Sequence, residues 1–174
     1  MISNFTDIGI PEDIAKAMDD MGWSEPTPIQ ISSVPLGLKG VDMFAQAQTG
    51  TGKTGAYGTI VLGSIPAKQK TPSAVILVPT RELASQVVDE LNKLSKYSGH
   101  VSIPIYGGAS IEKQIKELNK GCDIVAGTTG RVRDMISRGV LNVSAITTLV
   151  LDEADRLLDM GFEEVIKFIL GKMP

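Results

Sequence analysis

Cysteine is nearly absent: Cys122 is the only one in 174 residues. A lone thiol closes no internal disulfide and builds no thiolate metal cage, which points to a reducing cytoplasm. Histidine is equally scarce, and the single His100, read as a surface loop residue, cannot make a histidine-based metal site. No apolar run approaches the roughly 20 residues that span a bilayer. The opening MISNFTDIGIPED lacks the basic segment and apolar stretch of a secretory signal, so a soluble protein is expected. Positive charge is not in excess either. Seventeen Lys and Arg against 20 Asp and Glu leave −3, which argues against a wholly basic nucleic-acid binder. The acids concentrate early: Asp7, Glu12, Asp13, Asp19, Asp20, Glu25 and Asp42 face only Lys16 and Lys39. The remainder is slightly basic and permits a local basic face.

What is present is ordinary globular material, 43% apolar and 21% charged, in a length that suits one α/β domain. Repeats, low-complexity segments and interdomain linkers are missing. Apolar β-prone runs alternate with helical patterns, the signature of parallel βαβ units. Strands are expected at MFAQA (43–47), AVILV (74–78), VSIPIY (101–106), DIVAG (123–127) and TTLVLD (147–152). Leu83, Val87, Leu91 and Leu94 recur at helical spacing over 81–97, as do Ile111, Ile115 and Leu118 in the next segment. Two earlier helices are expected near 11–21 and 27–38, with Pro11 and Pro28 in their first turns. The pattern predicts a doubly wound, mostly parallel sheet with helices on both faces. Such sheets bind ligands at the carboxyl ends of their strands.

The motifs fall at those ends. AQTGTGKT, residues 47–54, follows the first expected strand and opens a helix near Lys53. Its glycines allow a tight turn that aims backbone N–H groups at phosphate oxygens, and the helix dipole favours an anion. Lys53 suits the β- and γ-phosphates, and the Thr54 hydroxyl suits Mg²⁺. The strict phosphate-loop pattern would place glycine at 47, where this chain has Ala47. Further on, the run LVLDEADRLLDMGF (149–162) turns from apolar residues straight into Asp152, Glu153 and Asp155. Alone these read as solvated surface acids. Beside a phosphate loop, Asp152 reads as the carboxylate of the Mg²⁺ shell, partly through water, and Glu153 as the group that orients or deprotonates an attacking water.

Together, AQTGTGKT and DEAD (152–155) resemble the DEAD-box family of RNA helicases, whose loop begins with alanine. The resemblance covers nearly the whole chain. GWSEPTPIQ (22–30) is similar to the family's Q motif, with Phe5 upstream. The Gln30 carboxamide offers the donor and acceptor that match adenine N7 and N6–H. Phe5 is read either as stacking on the base or as core, Trp23 rather as core. The resemblance thus implies ATP bound by Phe5, Gln30 and Ala47, Gln48, Thr49, Gly50, Thr51, Gly52, Lys53 and Thr54. Lys53, Thr54, Asp152 and Glu153 would be catalytic, with Mg²⁺ at Thr54 and Asp152. PTRELA (79–84), YGG (106–108) and GTTGR (127–131) resemble the motifs that contact RNA. They imply sequence-independent backbone binding by Pro79, Thr80, Arg81, Gly107, Gly108, Thr128, Gly130 and Arg131. Thr129 stands where the family has proline, and the loss of a fixed φ is expected to loosen the loop before the helix.

The Ser-Ala-Thr motif that follows DEAD in the family is not found, nor is the second RecA-like domain with its arginine fingers. The chain is therefore expected to be one RecA-like ATP-binding domain over 1–174, with the Q motif and flanking helices in 1–40. Omitting the Ser-Ala-Thr strand would leave a gap in the sheet, so a monomer is expected whose open gap favours association. The activity implied is ATP-dependent opening of short RNA duplexes, with the isolated chain nearly inactive in hydrolysis. A non-catalytic nucleotide- or RNA-binding module is the alternative. A P-loop kinase or GTPase fits less well, because no guanine-reading N-K-x-D occurs.

Overall fold

The computed structural model describes residues 4–174. The chain divides into two compact units: residues up to Ile65 with Glu90–Gly99, and Pro66–Asp89 with His100–Pro174. Among the described residues no helix is long and apolar enough to cross a membrane.

The first unit is helical. A 3-10 turn, Phe5–Ile8, leads into α1 (Glu12–Asp20), α2 (Pro28–Leu38) and α3 (Lys53–Ser64), joined by the end of α4 (Arg81–Leu94). Pro11 precedes the first residue of α1, while Pro28 opens α2. There its missing N–H costs nothing and its φ is already helical. Ile14, Ala17 and Met18 are spaced to share one face of α1 and are buried with Phe5 and Ile8. Lys96 and Tyr97 both donate to the Asp20 carboxylate. These two hydrogen bonds hold the Asp20 carboxyl below the usual carboxylate range, and the bond to Asp20 holds the Lys96 ammonium above its own.

The expected strand at 43–47 does not form; residues 41–48 carry no regular structure, and Phe44 is 85% exposed. A strand exists only as part of a ladder, and no described ladder includes these residues. Propensity without a partner is too weak to order five residues.

The second unit holds four parallel strands, β1 (Ala74–Val78), β2 (Ser102–Ile105), β3 (Ile124–Thr128) and β4 (Thr148–Leu151), in the order β2-β3-β1-β4. Between them run the first part of α4, then α5 (Ile111–Lys120) and α6 (Thr129–Ser137); α7 (Ala154–Asp159) and α8 (Glu163–Lys172) follow. Each of these strands lies within a residue or so of its expected bounds. All five residues of β1 are buried. That explains a continuous apolar run rather than an alternating one, because both faces of a central parallel strand are covered. Val75, Leu77, Ile105 and Val125 join Val132, Met135, Leu157 and Ile169 in one core cluster. Each such side chain stabilises the unit by roughly 1.5–3 kcal/mol on burial. Pro104 is tolerated in β2 because that strand is a sheet edge, where one missing N–H leaves no inner ladder broken. β4 is the other edge, and its Leu151 is 38% exposed.

At the start of β3, Asp123 is fully buried and serves as a splice. Its carboxylate accepts from Gln69 N–H at 2.7 Å and Val101 N–H at 2.8 Å, and its carbonyl accepts from Ser73 and Ala74. The entries to β1 and β2 are thereby tied to β3. Beside it, burial and then the Asp123 charge push the Cys122 thiol up to about 12, so it stays protonated and unreactive. Asp123→Ala would strand two backbone donors and is expected to cost about 3 kcal/mol. Asp123→Asn, which keeps one acceptor oxygen, should cost less; urea denaturation of the two variants checks the order.

Candidate functional site

The phosphate-loop motif lies in the first unit. Gly50 and Gly52 adopt left-handed backbone, with φ of 80 and 89, and α3 begins at Lys53. Space is open around Gly50, whereas a Cβ on Gly52 would lie 2.8 Å from Thr27 Oγ1 and 2.9 Å from Gln30 Nε2. Gly52 is thus required twice, for its φ and for the approach of the Q motif to the loop. Gln30, 2% exposed, makes that approach: its Oε1 accepts from Thr27 N–H at 3.0 Å, and its Nε2 donates to the Gly52 carbonyl at 3.3 Å. One N–H of the amide and one lone pair of Oε1 remain. Within the loop, Thr51 Oγ1 donates to the Gln48 carbonyl. Ala47, Thr51, Lys53 and Thr54 are half-buried, while Gln48 and Thr49 are exposed. The ring of Trp23 lies against Gly55, where a Cβ would come within 2.8 Å of it; this is the packing role. Phe5 is a correction: at 2% exposure it belongs to the core, and no ring face is left for a base. The burial of an aromatic in so small a helical unit outweighs stacking on a ligand.

In the second unit the RNA-motif residues gather at the carboxyl ends of β1, β2 and β3. After β1, Pro79 is buried, so it shapes the turn and offers no contact surface. Thr80 caps α4, its Oγ1 accepting from Leu83 N–H at 3.2 Å. Arg81 is exposed at the first helical position and lies over the Tyr106 ring, 5.4 Å from its centroid. After β2, Gly107 and Gly108 are exposed, and Gly108 has φ 78. After β3, Thr128 is half-buried, Gly130 is exposed, and Arg131 donates to Gln114 Oε1 at 3.0 Å and to the Ala109 carbonyl at 3.4 Å. The structure therefore links all three motifs. Gln114, which joins the second motif to the third, is absent from every motif; its signal was a polar side chain on the apolar stripe of α5, three residues from Ile111 and four from Leu118.

At the end of β4, Asp152 N–H donates to the Leu77 carbonyl at 3.0 Å and continues the ladder with β1. Glu153 then takes a left-handed conformation, φ 50 and ψ 51, as it caps α7. A non-glycine residue held there costs on the order of 1 kcal/mol, strain that clusters at functional sites. Its side chain is exposed and reaches Arg156 at 3.6 Å.

Thr129, in the place of the family proline, is the first residue of α6, is fully buried, and its hydroxyl finds no partner. The position suits proline: Thr128 before it is extended, at φ −75 and ψ 144, and a first-turn N–H has no helical acceptor. Thr129→Pro is expected to raise stability by about 1 kcal/mol, read as a higher urea midpoint. Gly52→Ala should do the opposite and also weaken nucleotide binding by at least about tenfold, measured by titration.

The sequence profile of the DEAD/DEAH box helicase family matches residues 27–174. Among curated proteins, the ATP-dependent RNA helicase CshA of Listeria monocytogenes is 48% identical over 99% of this chain. The DEAD-box ATP-dependent RNA helicase CshA of Geobacillus kaustophilus is 43% identical over 99%. The chain spans 33% and 37% of the lengths of these two relatives. Among solved structures, a DEAD box protein from the hyperthermophile Methanococcus jannaschii superposes with a TM-score of 0.93 at 38% identity, over 99% of this chain and 47% of that one. A profile match over residues 27–174, most of the chain, shows that the chain belongs to the DEAD/DEAH box helicase family.

Proposed function

We propose that this chain is the ATP-binding first RecA-like domain of an RNA helicase that couples ATP binding and hydrolysis to clamping of the RNA backbone and local duplex opening. The carrying observation is the hydrogen bond from Gln30 to the Gly52 carbonyl, which joins a residue suited to adenine to a loop suited to phosphate. The names of the two curated relatives, both ATP-dependent RNA helicases, support the same reading.

In this reading the backbone of Ala47–Thr54 cradles the phosphates and Lys53 neutralises the terminal ones. Thr54 and Asp152 would serve Mg²⁺, partly through water; Mg²⁺ takes few protein ligands and keeps phosphate and water oxygens, so a hydroxyl and a carboxylate are suitable donors for it. When bound, the ion would supply charge neutralisation to the phosphates. Glu153 orients or deprotonates the attacking water. The free N–H and lone pair of Gln30 read adenine, while Thr80, Arg81, Gly107, Gly108, Thr128, Gly130 and Arg131 form the RNA backbone site. A second RecA-like domain supplies arginine fingers, which are worth roughly 10³ or more in rate, so the isolated chain hydrolyses ATP barely. It works in the cytoplasm as a monomer whose open sheet gap favours association.

The test is a titration of the purified chain with fluorescent ATP and GTP analogues. ATP should bind more tightly than GTP, and Lys53→Ala should weaken both by about tenfold or more. Gln30→Ala also loosens the loop, so the ATP-to-GTP ratio is the diagnostic quantity, and it should fall toward one. Equal binding of both nucleotides by the unaltered chain would remove the adenine reading and leave the phosphate site standing. Absence of binding would remove both.

A further inference from the structure

Gln114 is 8% exposed, and its carboxamide makes three hydrogen bonds. Nε2 donates to the Tyr106 carbonyl at 2.9 Å, and Oε1 accepts from Tyr106 N–H at 3.2 Å. A neighbouring strand would grip Tyr106 in the same way. The amide does so one residue beyond Ile105, the last β2 residue in register with β3. Oε1 accepts again from Arg131 Nη1 at 3.0 Å, which uses both of its lone pairs. From there the two Nη atoms of Arg131 reach the Ala109 carbonyl, each at 3.4 Å.

The turn from Tyr106 to Ala109 is thus held at its first residue by Gln114 and at its last by Arg131, and the two holders are bonded to each other. Between them lie Gly107 and Gly108, both exposed. Glycine loses more conformational freedom on ordering than any other residue, so a free Gly-Gly turn would have to be ordered at every binding event. A turn fixed beforehand avoids that cost.

We propose that Gln114 is a positioning residue for RNA: without touching it, Gln114 preorders the Gly107–Gly108 backbone and sets Arg131 for the phosphate chain. The proposal rests on the reading of this region as the RNA backbone site. It assigns Arg131 a second task, bracing the turn as well as meeting phosphate.

The experiment follows the anisotropy of a labelled oligouridylate at low salt against the 174-residue chain. It compares the unaltered chain with Gln114→Met, Gln114→Glu, Arg131→Met and the Gln114→Met/Arg131→Met double variant. Gln114→Met keeps the volume and loses every hydrogen bond, and should weaken binding about tenfold. Gln114→Glu keeps the acceptor and should recover part of the loss. The double variant should bind about as weakly as the poorer single one, because both act on one turn. Amide exchange in Gln114→Met should accelerate at Tyr106 and stay unchanged along β1. Unaltered affinity in Gln114→Met, losses that add in the double variant, or faster exchange throughout β1 would each overturn the proposal while the RNA site stands. An unaltered chain that fails to bind RNA would overturn the site itself and the proposal with it.

Discussion

Burial of β1 on both faces is the constraint on which the sheet unit depends. AVILV has no polar side chain to place toward water, so it must be flanked by strands and covered above and below. Parallel neighbours meet that demand, and parallel pairing forces every connection to cross back before the next strand begins. The carboxyl ends of β1, β2, β3 and β4 consequently emerge on one side of the sheet. Each of these ends carries one of the motifs, and the chemistry is collected there by topology.

Collected residues still have to be held, and in both units a side-chain amide does it. Gln30 ties the Q motif to the phosphate loop; Gln114 ties the double-glycine turn to the guanidinium of the next motif. An amide suits both places because it donates and accepts without bringing a charge into a buried position. Asp123 performs the same task at the opposite ends of β1, β2 and β3 with a carboxylate, whose two oxygens each take a backbone N–H. Glycines at 52, 107 and 108 are the counterpart: the backbone is bare where a ligand or a side chain must come close.

The four strands of the sheet and the helices between them were legible because their apolar periodicity is strong, and the site motifs because phosphate chemistry restricts which residues will serve. The readings that changed share one cause. MFAQA has strand propensity and no ladder partner, so it stays irregular. Phe5 and Pro79 were expected to meet ligands, yet both are buried. Whether a residue faces a ligand or the interior depends on packing that no short pattern contains.

The sequence by itself determined the class of fold, the order of its elements and the chemical identity of the candidate site, since periodicity and motif spacing are local properties of the chain. Only the tertiary structure decided that Gln114 completes the backbone bonding of Tyr106, that Arg131 braces Ala109, and that Glu153 is held in a left-handed turn. These are contacts between residues up to 22 positions apart, or a backbone state imposed by the junction of β4 and α7. Long-range hydrogen bonds are selected by which groups the packed core leaves unsatisfied, and that selection exists only once the chain has folded.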